Sequence, residues 1–83
     1  MKHAGAAALD QLEDVLRELR MITVLRERSR GVFYWRSQPF LHFHEDPLGL
    51  YADLKIGRSV VRMPITSRHE RNALIEAVRR QVG

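Results

Sequence analysis

Residues 38–65, QPFLHFHEDPLGLYADLKIGRSVVRMPI, decide the fold, because their turns and their alternation together select one register. Ile56-Gly57-Arg58-Ser59 places glycine at the first of two loop positions, as a type II′ hairpin requires. That turn sets Ile56 opposite Ser59, Leu54 opposite Val61, Ala52 opposite Met63 and Leu50 opposite Ile65. The other face then pairs Lys55 with Val60 and Asp53 with Arg62, and opposite charges directly across a ladder stabilise it mildly. One turn earlier, Asp46-Pro47-Leu48-Gly49 joins a proline that presets φ to a glycine that supplies positive φ. As a four-residue loop it pairs Glu45 with Leu50, Phe43 with Ala52 and Leu41 with Leu54. His44 then faces Tyr51 and His42 faces Asp53 on the opposite side. A five-residue loop would exchange the two faces, burying both histidines and exposing Leu41 and Phe43, so the shorter loop is preferred.

Outward from this core, residues 32–36 (VFYWR) are dense in β-formers and predict a further strand. Phe33 and Trp35 are expected to face the core, with Val32, Tyr34 and Arg36 outside. Pairing Phe33 with Phe43 across an irregular Ser37-Gln38-Pro39 loop brings Tyr34 opposite His42. Residues 26–31 (RERSRG) read as a charged connector closed by glycine. Before it, Leu9, Leu12, Val15, Leu16, Leu19 and Ile22 recur at helical spacing, with Asp10 as candidate N-cap and Glu13 three residues on. The β-branched run Ile22-Thr23-Val24 ends that helix. After the strands, Ser67-Arg68-His69-Glu70 is a capping box opening a helix that buries Leu74, Ile75, Val78 and Val82 and turns Arg68, Arg71 and Arg79 outward.

The expected architecture is one α+β domain over residues 1–83. It is a two-layer fold, a four-stranded antiparallel meander with N- and C-terminal helices packed on one face (α-β-β-β-β-α). A chain this short has little core to spare, but 45% hydrophobic content is enough to exclude wholesale disorder. Cysteine is absent, which excludes disulfides, thiolate metal sites and cysteine nucleophiles and fits a reducing cytoplasm. Asp10 and Glu13 interrupt any signal-peptide core, and no apolar run is long enough for a bilayer, so a cytoplasmic protein without a membrane partner is expected. The net charge is +4, twelve of the fourteen basic residues are arginine, and the pI is about 10.3, a balance that suits a polyanionic partner.

Chemistry would be carried by the sheet face that the helices leave open. Its central row runs Tyr34, His42, Asp53 and Arg62, a second row holds His44 and Tyr51, and Arg36 and Lys55 flank them. Aromatic rings among cations are how single-stranded nucleic acid is commonly held, and Arg26, Arg28 and Arg30 add phosphate contacts. The same face suits a homodimer or another protein partner. A third possibility is a small hydrolase, in which Asp53 orients His42 and makes it more basic, although no nucleophile accompanies the pair. His42 and His44, two apart on a strand, point the same way and with Asp53 offer three metal donors. A lone H-x-H lacks the three or four ligands of an established site, and arginines surround it, so neither metal nor cofactor is expected.

The connector RERSRG, the strand VFYWR and the string FLHFHEDP-G-LYADLK also give residues 19–82 a layout that resembles small bacterial proteins of the MmcQ/YjbR type. The last string looks like that of short uncharacterised actinobacterial proteins. The resemblance implies a frataxin-like sandwich of two helices on an antiparallel sheet and a DNA-binding role. It carries no iron role, because the first helix lacks a dense acidic ridge.

Overall fold

A computed structural model describes residues 1–83 and is α+β, with helices towards both ends of the chain and one antiparallel sheet. The elements are β1 (Lys2–His3), α1 (Ala6–Gln11), α2 (Glu13–Arg20), β2 (Leu25–Ser29), β3 (Val32–Trp35), β4 (Gln38–Asp46), β5 (Gly49–Ile56), β6 (Ser59–Pro64) and α3 (Arg68–Val82). The sheet therefore has six strands, not four. Five form the meander β2-β3-β4-β5-β6, and β1 pairs with the far half of β4, on the edge that β3 leaves free.

The two hairpins read from turn chemistry have the expected registers. Leu41 pairs with Leu54, His42 with Asp53, Phe43 with Ala52 and His44 with Tyr51. Asp53 pairs with Arg62, Leu54 with Val61 and Ile56 with Ser59. Gly57 sits at φ +63, the conformation its turn requires. Asp46 Oδ1 accepts from the amides of Leu48 (2.8 Å) and Gly49 (3.2 Å), an Asx turn that narrows the β4–β5 tip to Pro47-Leu48.

The third hairpin differs from expectation. Phe33 pairs with Leu41, Tyr34 with Pro39 and Trp35 with Gln38, so Tyr34 is not opposite His42. The irregular loop is replaced by a two-residue turn, Arg36-Ser37, in which both residues have positive φ (54° and 65°). That is the backbone of a type I′ hairpin, normally built with Asn-Gly. A bulge between Phe33 and Tyr34 then restores the alternation, with Phe40 and Leu41 both buried.

The charged connector contains β2. Arg26 pairs with Tyr34 and Glu27 with Phe33. Glu27 points to the helical side, where Arg20 Nη2 (3.1 Å) and the Gly31 amide (2.9 Å) donate to its Oε2. The N-terminal helix also starts earlier than expected. Gly5, not Asp10, is the N-cap; the helix opens at Ala6 and breaks at Leu12 into α1 and α2. Asp10 instead pairs with Arg30. In α3 the Ser67–Glu70 capping box is present in both directions. Arg71, expected outside, clamps the layers by donating to the carbonyls of Ile65 (2.8 Å) and Gln11 (3.1 Å).

The helices bury Leu9, Leu12, Val15, Leu16, Leu19, Leu74, Ile75 and Val78 against Phe33, Leu41, Phe43, Ala52 and Leu54. Val61, opposite Leu54 on the core side, is nevertheless 40% exposed, because β6 is the edge of the sheet. No helix is long and apolar enough to cross a membrane.

Candidate functional site

Alternation along β4 and β5 sends Leu41, Phe43, Ala52 and Leu54 to the core and His42, His44, Tyr51, Asp53 and Lys55 to the uncovered face. Cross-strand pairing adds Arg62 beside Asp53, and it adds Arg26 beside Tyr34. The centre of the face is Asp53, whose side chain is only 10% exposed. Arg62 grips it with two parallel hydrogen bonds, Nε to Oδ1 at 2.7 Å and Nη2 to Oδ2 at 2.8 Å. This fork holds the Asp53 carboxyl below the usual carboxylate range, against the opposite pull of burial.

Both histidines of the H-x-H pair approach the same carboxylate oxygen. His42 Nε2 is 3.6 Å and His44 Nε2 is 3.3 Å from Asp53 Oδ2. The His44 approach lies off the axis of a hydrogen bond, so both of its ring nitrogens are shielded from solvent with no hydrogen-bond partner. The expectation that Asp53 makes His42 more basic is reversed. Burial lowers the His42 pKa, the adjacent His44 lowers it further, and His3 and Arg62 add to both, outweighing the upward pull of Asp53. An imidazole held neutral beside an already engaged carboxylate, with no nucleophile at hand, is poorly placed as a hydrolytic base.

Sequence reasoning missed the third ring. His3 lies directly across from His44 in the β1–β4 pair, so it projects onto the same face. Its ring stacks on His44 with centroids 4.7 Å apart and stands 5.6 Å from His42, while His42 and His44 meet edge to face at 4.8 Å. Nothing local in MKHAGA announces this placement, which arises from pairing across forty residues of chain.

The remaining predicted residues divide into two groups. Tyr34 is separated from the histidines by the register of β3 and carries the Arg28 guanidinium 4.4 Å above its ring, with Arg26 beside it. Arg36 lies at the β3–β4 turn, stacked 4.3 Å over Trp35. Trp35 in turn meets Phe40 edge on, and a groove of about 360 Å³ there is walled by Trp35, Arg36, Phe40 and Lys55. Arg30 leaves the face altogether: it reaches the helices, bonding Asp10 at 2.8 Å and Glu13 at 3.0 Å. No protein-family model matches the chain, and neither a curated protein nor a solved structure is detectably similar to it.

Proposed function

We propose that this is a cytoplasmic nucleic-acid-binding accessory protein that holds its ligand along the uncovered face of the sheet. The observation that carries the reading is where the charge sits. The three helices contain six acidic residues and six arginines, so the whole net charge of +4 belongs to the strands and their connections. There, Arg26, Arg28 and Lys55 on the uncovered face have no acidic partner, nor has Arg36 at the β3–β4 turn; Arg28 lies over the Tyr34 ring on that face, and Arg36 over Trp35, which packs towards the core. Cations beside aromatic faces suit a strand whose phosphates are neutralised while its bases stack. The likeness of residues 19–82 to the MmcQ/YjbR type points the same way.

One phosphate for each of these four cations sets the magnitude. For single strands the slope of log K against log salt is about −0.7 per phosphate neutralised, so affinity should fall roughly 50-fold between 50 and 200 mM salt. NMR titration with short single- and double-stranded oligonucleotides at those two salt concentrations measures it. Arg28→Ala and Arg36→Ala should each weaken binding and flatten the slope. Arg30→Ala, whose charge is already neutralised by Asp10 and Glu13, should not. Absence of binding at the lower salt would overturn the proposal.

A second reading, self-association, is favoured by one observation. Val60 and Val61 are 63% and 40% exposed on β6, a strand with an unpaired edge. Antiparallel pairing of two such edges would continue the sheet across a dimer. Sedimentation of the wild type and Val60→Lys separates it from the first reading.

A further inference from the structure

We propose that His3, His42 and His44 form a site for a divalent transition-metal ion of the zinc type, bound through three imidazoles on the uncovered face. This inference is independent of the nucleic-acid reading. The ligand atoms of the three histidines all lie within 4.8 Å of one another. Nitrogens bound to a tetrahedral zinc at about 2.0–2.1 Å stand roughly 3.3 Å apart, so closing the triangle takes up to about 1.5 Å of approach between rings. His3 is exposed and rides on a two-residue strand, which leaves it free to make that adjustment.

A second observation points to a ligand here. Both ring nitrogens of His44 are buried without a hydrogen bond, although an unsatisfied buried imidazole nitrogen is costly and rare. Asp53 is the nearest acid, and its Oδ2 faces Nε2 of both His42 and His44. A carboxylate 3.3–3.6 Å away places negative charge beside the imidazoles, and Arg62 holds it in position through two hydrogen bonds. Three imidazoles suit zinc, nickel or copper over the oxygen-seeking magnesium and calcium, and they leave a fourth position open to water.

The test is titration of the intact protein with Zn²⁺, read by NMR of the histidine side chains. It is repeated with Co²⁺, whose visible absorption intensifies when its coordination is tetrahedral. One equivalent should bind, shift the resonances of His3, His42 and His44 together, and be removed by a chelator. His3→Ala, an exposed position, should weaken the affinity at least about tenfold, the least effect typical of losing even a partner of a ligand. His69→Ala, on α3 and remote from the cluster, should bind as the wild type does. His44→Gln risks the fold, so His42→Ala, with circular dichroism to check folding, is the second variant. The proposal is overturned if binding does not saturate at one ion, or if His3→Ala and His42→Ala both bind as tightly as the wild type.

Discussion

Arg62 and Asp53 form one ion pair, yet removing either partner should have unequal consequences. The Arg62 side chain is 48% exposed and that of Asp53 only 10%. Deleting the arginine leaves a mostly buried carboxylate stripped of two charge-assisted hydrogen bonds, at 2.7 and 2.8 Å. Leaving a buried acceptor unsatisfied costs about 1–3 kcal/mol, with charged groups at the upper end. His42 and His44 stand near enough to compensate in part, yet Arg62→Ala should be the more costly of the two changes. Asp53→Asn leaves a guanidinium that turns into solvent and an amide in the same shape, so its cost should be about 1 kcal/mol. In a domain of this size each kcal/mol lost lowers the melting temperature by roughly 4–8 °C. Urea unfolding of both single variants and the double variant gives the two losses and their coupling. Equal losses, or two near-zero ones, would mean that the carboxylate is solvated and the buried fork does not exist in solution.

Phe43, 3% exposed at the centre of β4, should cost roughly 3–5 kcal/mol when truncated to alanine, measured by urea unfolding; a near-neutral result would contradict the β4–β5 register. Ser37→Gly should stabilise the protein by up to about 1 kcal/mol, because glycine takes the positive φ of that position without strain; calorimetry would show a higher melting temperature. Glu27 carries a pH signature. Burial pushes its pKa up, but the hydrogen bonds from Arg20 and the Gly31 amide outweigh burial and leave it below the ordinary carboxylate range. Its folded value is therefore depressed, so its contribution is complete above about pH 4.3 and is lost as pH falls through the lower folded value. Glu27→Gln should flatten that acid limb in pH-dependent unfolding.

The legible part of this fold is the part written in local turn chemistry. Gly57 and the Asp46-Pro47-Leu48-Gly49 turn each specify a loop length, and one loop length fixes a whole strand. That is why the Asp53–Arg62 pair and the alignment of His42 with Asp53 were readable in advance. The β3–β4 register was not, because Arg36-Ser37 adopts a turn whose usual residues are absent, and the compensating bulge at Phe40 has no sequence signal. β2 lacks alternating hydrophobics since, after the buried Leu25, its next inward residue is Glu27, held by hydrogen bonds and not by apolar packing. The histidine cluster was half legible. The H-x-H pair is visible in the chain, whereas His3 joins it through a contact between distant residues, which no periodicity encodes.

That distant contact also sets the order in which the molecule comes apart. The meander is built from neighbours in sequence, each strand closing on the one before it across a short turn, a topology that zips quickly. β1 alone among the strands must cross about forty residues, and beyond its two-pair ladder it is secured by Ala4 N–H to Phe43 O (3.0 Å) and Gly5 N–H to Glu45 Oε2 (2.7 Å). It is therefore the natural first unit of local unfolding: five residues can peel away while the meander and helices stay native. Peeling wets His44 and disperses the three imidazoles at once. In hydrogen exchange the amides of Ala4 and Gly5 should exchange well ahead of those of β4 and β5, and whatever occupies the histidine cluster should slow them.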